Sequence, residues 1–164
     1  MILAALALAL QPAPAGAMLD PQAAGQGFLS LCARYAADPA ALRAAIRRSP
    51  LGFVRGADEV LYEIYRARAA TIRFKPGTGC ALDAGLASRS HGDRAIAIVS
   101  EAIGQPMPPG AVNHPGTAAR YSWERPARAG QIGLAATLEW GRMGPPEDRG
   151  PVLLKFWAYV SDAP

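Results

Sequence analysis

The chain reads as an α+β protein, a two-layer sandwich in which an antiparallel β-sheet carries its helices on one face. Three observations predict this. Apolar residues recur at helical spacing in two stretches before residue 50 and in one after residue 90. Strict alternation marks residues 71–75 and runs near the C-terminus. Short Gly/Pro turns join successive strand-like runs, a connection open to antiparallel neighbours and closed to parallel ones. The length of 164 residues suits one domain. Hydrophobic residues make up 51% but aromatics only 7%, so the core is built largely from small side chains.

Residues 1–17 read as an address rather than as structure. They carry no charge, and an apolar run over residues 2–10 is followed by Gln11-Pro12-Ala13-Pro14 and then Ala15-Gly16-Ala17. A short apolar core, a Pro-containing break and a small-x-small triplet are the parts of a cleavable secretory signal. The run is too short to span a bilayer, so no stable membrane span is expected after cleavage. No Lys or Arg precedes it, which departs from the usual charged start. Cleavage after Ala17 leaves residues 18–164 as a single α+β domain, periplasmic or secreted.

The first helix is marked by Phe28, Leu31, Cys32 and Tyr35, at i, i+3, i+4 and i+7. Asp38-Pro39 restarts the chain with a preferred cap and a first-turn proline, and Leu42, Ala45 and Ile46 line the inner side of a second helix. Arg47 and Arg48 complement its C-terminal dipole before Ser49-Pro50 stops it. Residues 60–68, rich in aromatic and β-branched side chains, read as a strand. Thr71-Ile72-Arg73-Phe74-Lys75 is a second, Pro76-Gly77-Thr78-Gly79 a turn, and Cys80-Ala81-Leu82 the returning strand. Ser90-His91-Gly92-Asp93 resembles a capping box and opens a helix with Ile96, Val99 and Ile103 inside, ending at Gly104. Residues 104–117 form a long loop. Three strands follow, through Tyr121 and Trp123, through Leu134 to Trp140, and through Val152 to Val160.

Cys32 and Cys80 are the whole cysteine complement, and an oxidising compartment favours pairing them across helix and sheet. Such a bond closes a long loop and contributes about 4 kcal/mol on the chain-entropy model. Neither thiol sits in a Cys-x-x-Cys motif or beside a histidine, so redox catalysis has no support.

The net charge of +4 comes from 17 cations against 13 anions, and only Lys75 and Lys155 among the cations are lysines. They are scattered, without the basic stripe of a nucleic-acid binder, so no nucleic-acid partner is expected. His91, with Asp93, Ser88 and Ser90, is the one compact set of catalytic residue types, but no nucleophile elbow accompanies it and a helix cap explains it. His114 stands alone in a loop. A small hydrolase using His91 or His114 is therefore the alternative reading, and no catalytic residue is assigned. Two histidines, two paired cysteines and no clustered carboxylates cannot assemble a closed zinc site, so neither metal nor cofactor is expected. The turn at Pro76 leads into a strand rather than a helix, which excludes a phosphate loop.

Aromatics concentrate in the C-terminal strands: Tyr121, Trp123, Trp140, Trp157 and Tyr159. Trp157 and Tyr159 fall out of phase with Val152, Leu154 and Phe156, which places them on the opposite sheet face. Together with Lys155, and flanked by Arg125 and Arg142, they form a candidate surface for a protein or envelope partner. The leading expectation is an exported, non-enzymatic binding module of undetermined oligomeric state. Intact-mass measurement on protein from its native host tests the covalent part of this reading. The expected mass lacks residues 1–17 and the hydrogens lost in one disulfide; an unprocessed or fully reduced mass contradicts it.

Overall fold

The computed structural model describes residues 17–59, 61–104, 111–112, 119–125, 132–140 and 151–160. It is α+β, with an antiparallel sheet and three helices packed against one side of it. The helices are α1 (Pro21–Phe28, prolonged by a π-helical turn over Leu29–Ala33), α2 (Pro39–Arg48) and α3 (Arg89–Ala102). The strands are β1 (Val54–Arg55), β2 (Glu63–Arg66), β3 (Ala70–Lys75), β4 (Gly79–Leu86), β5 (Ala111–Val112), β6 (Ala119–Arg125), β7 (Ile132–Trp140) and β8 (Val152–Val160). Their order across the sheet is β1-β2-β3-β4-β8-β7-β6-β5. Two meanders therefore meet along the β4–β8 seam, and α3 carries the chain from one to the far edge of the other. The seam sets Leu82 opposite Phe156 and Cys80 opposite Ala158.

Local sequence accounts for most of these elements. Asp20 caps α1 by accepting from the Gln22 and Ala23 amides, and Asp38 caps α2 by accepting from the Ala41 amide. Proline occupies the first helical position in both. Gly77 takes a left-handed φ of 75° in the β3–β4 turn, where a side chain would be strained.

The core lies between the helices and one face of the sheet. Phe28, Phe74, Phe156, Leu42, Leu82, Leu134 and Leu138 are among its largest fully buried side chains. Phe28 stacks on Phe156 with ring centroids 4.7 Å apart and planes 15° from parallel. One turn further along, Cys32 is bonded to Cys80, their Cα atoms 5.1 Å apart and 48 residues apart in sequence. The pairing expected from the sequence is thus present. α3 packs on α1 and against β4, β7 and β8. Its first turn approaches the sheet so closely that a Cβ at Gly92 would stand 2.4 Å from the Leu138 Cδ1 and displace that buried side chain.

Several boundaries differ from the sequence reading. In α1 the wide π-helical turn shifts the phase, so Ala24, Phe28, Cys32 and Ala36 point inward and Tyr35 is left half-buried. The strand expected over residues 60–68 starts only at Glu63. A tight turn precedes it, closed by the Tyr62 amide donating to the Glu59 carbonyl at 2.7 Å, with Leu61 at φ 74°. The cap of α3 is Ser88, which accepts from the His91 amide, so Asp93 lies beyond the capping position and pairs with Arg89 at 3.6 Å instead. The short edge strands β1 and β5 carry too little pattern to be anticipated, and β5 falls inside the stretch read as a loop.

The Phe28–Phe156 stack fastens this helix to β8 and the disulfide fastens it to the neighbouring β4. Phe156→Ala should cost about 3–5 kcal/mol through the cavity it leaves. Reducing the disulfide in the native protein should cost about 2–4 kcal/mol. Urea unfolding followed by circular dichroism reads both; a Phe156→Ala midpoint unchanged from wild type would contradict this packing.

Candidate functional site

Alternation along β8 decides which side chains leave the core. Val152, Leu154, Phe156 and Ala158 are buried beneath the helices, while Leu153, Lys155, Trp157 and Tyr159 stand on the outer face. Leu153 and Trp157 are 38% and 37% exposed, the large exposed apolar groups of the central strands among the described residues. No helix packs on this side among the described residues.

The neighbouring strands supply small residues opposite the large ones. Trp157 pairs in register with Ala81 of β4 and Ala135 of β7, and Tyr159 pairs with Gly79 and Gly133. A Cβ at Gly133 would lie 2.2 Å from the Tyr159 Cζ, so the tyrosine ring rests directly on the glycine backbone. The register partners of both aromatic residues on the flanking strands are therefore small, Ala or Gly.

A band of paired charges crosses the same face beside Trp157. Arg73 of β3 donates to Asp83 of β4, and Lys155 of β8 donates to both carboxylate oxygens of Glu139 of β7, at 3.1 and 3.3 Å. Lys155 lies in register between Asp83 and the buried Thr137. Burial raises the Asp83 carboxyl from its ordinary value, opposed by the charges of Arg73 and Lys155. Arg73 Nε and Asp83 Oδ1 are buried without a hydrogen-bond partner among the described residues. A polar pair kept half-satisfied in this way does not optimise stability.

A second polar cluster sits on the helix side, at the β2 end of the sheet. The Glu63 carboxylate accepts from Arg43 of α2, from Arg55 Nη1 of β1 at 2.6 Å and from the Tyr65 hydroxyl at 2.8 Å. Arg55 also donates to Asp58 and lies over the Tyr65 ring, 5.0 Å from its centroid. Each Glu63 oxygen is engaged, and the cluster ties α2 to the sheet edge. We read it as structural.

The residues singled out in the sequence separate into three groups. Lys155, Trp157 and Tyr159 share the outer face. Ser88, Ser90, His91 and Asp93 lie in the first turn of α3, but the cap occupies Ser88, Ser90 Oγ shares a hydrogen bond with Ser88 Oγ at 3.0 Å, and Asp93 pairs with Arg89. His91 is exposed there. His114, Arg142 and residues 1–16 lie outside the described residues, as do the side chains of Tyr121, Trp123, Arg125 and Trp140. Sequence reading missed Arg73, Asp83 and Glu139; alternation places the first two outward, but their partnership depends on cross-strand register.

Among the described residues no group of three His, Cys, Asp or Glu side chains could hold a metal ion, and no helix is long and apolar enough to cross a membrane. No protein-family model matches the chain, and comparison with curated proteins and with solved structures finds no significant similarity.

The electrostatics of Glu63 generate a pH dependence. Donation from Arg43 above all, with Tyr65 and Arg55, holds its carboxyl at about 2, against an ordinary 4.5. A depressed carboxyl contributes stability above its unfolded value and loses it as pH falls through the folded one. Unfolding stability should therefore drop between about pH 4.5 and pH 2. Both arginines are more than a third exposed, so solvent screening keeps the contribution of these pairs small. Urea titrations of wild type and Glu63→Gln across this range check it: the variant should lose that part of the slope, and parallel profiles contradict the assignment.

Proposed function

We propose that this protein is an exported, non-enzymatic binding domain, periplasmic or secreted, whose outer sheet face engages a protein or envelope component. The observation that carries the reading is the outer face of β8. There Trp157 and Leu153 are exposed beside Lys155 and Tyr159, on the side opposite the helices. Exposing a tryptophan on a central strand costs solvation that a partner would recover, and tryptophan is a frequent energetic centre of binding surfaces.

The Cys32–Cys80 bond is compatible with an oxidising compartment, which supports export. The sequence of residues 1–17 adds the signal-like pattern. The polar residues at the start of α3 are engaged in capping and in an ion pair, which favours binding over hydrolysis.

The test is a comparison of wild type with Trp157→Ser. The side chain lies outside the core, so the variant should retain its fold and shift its urea midpoint little. Capture of partners from the native envelope fraction after chemical cross-linking should fall sharply in the variant. Identical capture by the two proteins, at equal solubility, would remove the main support for this reading.

A further inference from the structure

We infer that α1 gates the Cys32–Cys80 bond: thiols reach it only while this helix is unwound from the sheet, so the chain must meet its thiol oxidant before α1 seats or during such openings. In the folded protein the bond is closed to solvent, with Cys32 fully buried and Cys80 2% exposed. Thiol–disulfide exchange needs the approach of a thiolate to one of the two sulfurs, and burial denies it.

The two ends of the bond are held differently. Cys80 lies in β4, flanked by β3 and β8 and in register with the buried Phe74 and Ala158. Moving it breaks up the centre of the sheet. Cys32 lies on the first helix of the chain, whose departure leaves every strand pairing intact. Sequence makes α1 the weaker side as well. Its eight α-helical residues include Gly25 and Gly27, glycine disfavours a helix, and an isolated helix this short is marginal in water. Tertiary contacts hold it instead. Phe28 stacks on Phe156, and a Cβ at Gly25 would stand 2.9 Å from Ile98 Cγ2 of α3. A Cβ at Gly27 would stand 3.0 Å from Leu51 Cδ1, and just before the helix the Leu19 amide donates to the Gly85 carbonyl at 2.8 Å. A helix held in this way opens as a unit, below the cost of unfolding the sheet.

In the open state a dithiol reductant completes the exchange in two displacements. One of its thiolates attacks a cysteine sulfur and displaces the other cysteine as a thiolate. Its second thiolate then attacks the reductant's own sulfur in the mixed disulfide and releases the first cysteine. Two electrons pass to the protein, which gains two thiols, and the reductant leaves as a cyclic disulfide. By microscopic reversibility, oxidation by that cyclic disulfide passes through the same open state. A helix that seats over two thiols therefore shuts out the oxidant as firmly as a seated disulfide shuts out the reductant.

The experiment exposes the folded, disulfide-bonded chain to dithiothreitol, quenches with acid and separates oxidised from reduced protein by reversed-phase chromatography. Reduction in native buffer should be about a hundredfold or more slower than in denaturing urea. At low urea its rate should rise with a slope well below that of equilibrium unfolding, the mark of a partial opening. Phe28→Ala, which loosens the gate, should speed reduction in native buffer about tenfold or more. Leu138→Ala removes a side chain packed beneath Gly92 of α3, so it should lower the urea midpoint yet leave the reduction rate nearly unchanged. If Phe28→Ala fails to fold, Phe28→Leu decides, with a smaller acceleration in the same direction. Reduction as fast in native buffer as in urea shows an exposed bond and overturns the gate. Equal acceleration by the Phe28 and Leu138 variants, no acceleration by the Phe28 variant, or a urea slope equal to that of unfolding overturns it too.

Discussion

The structure depends on the seating of α1 across the β4–β8 seam. The Phe28 ring lies on Phe156, and one turn later Cys32 is bonded to Cys80. The two contacts act on different states of the chain. The stack removes apolar surface from water in the folded protein, while the disulfide, on the chain-entropy account, restricts the unfolded one. In a chain with few aromatic residues the two together offset the thinness of an Ala-rich core. Without this helix the sheet would expose Leu82 and Phe156 on the face it now covers.

Covering one face so completely defines the other. Because side chains alternate along a strand, β8 places Phe156 under the helices and, by the same geometry, Trp157 on the outside. The outer face then settles its own electrostatics by pairing charges across strands, Arg73 with Asp83 and Lys155 with Glu139. Asp83 is half-satisfied and raised by burial, whereas Glu63 on the helix side is saturated with donors and depressed. The same kind of group is tuned in opposite directions by what surrounds it. The saturated carboxylate fastens an element; the half-satisfied one borders the exposed tryptophan.

The places where sequence reading and structure part are instructive because each has a local cause. Helical spacing identified the inward residues of α1 but not the π-helical turn, nor that Ala36 is fully buried while Tyr35 packs half-buried against the core. Nothing in the side chains of residues 29–33 marks a wider turn, which tertiary packing can impose. Ser88 and Ser90 are equally good caps by composition, and the close approach of Gly92 to Leu138 accompanies a helix that begins at Arg89. The apolar stretch after residue 60 matched strand composition, yet its first residues form a turn with Leu61 at positive φ, a conformation that composition does not announce. For the outer face, phase along β8 sufficed to separate Lys155, Trp157 and Tyr159 from the core. Their polar neighbours lie on other strands and have no signature in the order of residues.

By itself, then, the amino-acid sequence determined the fold class, the positions of the three helices, the inward and outward residues of the long strands, and the pairing of Cys32 with Cys80. These follow from periodicity, from capping residues and turns, and from there being only two cysteines, all of which are readable within a few residues or by counting. The tertiary structure decided that β8 lies beside β4, that α3 joins two meanders, and that Arg73, Asp83, Lys155 and Glu139 share one band around Trp157. Strand order is set by how the whole chain buries its apolar surface against α1 and α3. Cross-strand register then chooses the partners, and neither quantity exists until distant segments meet.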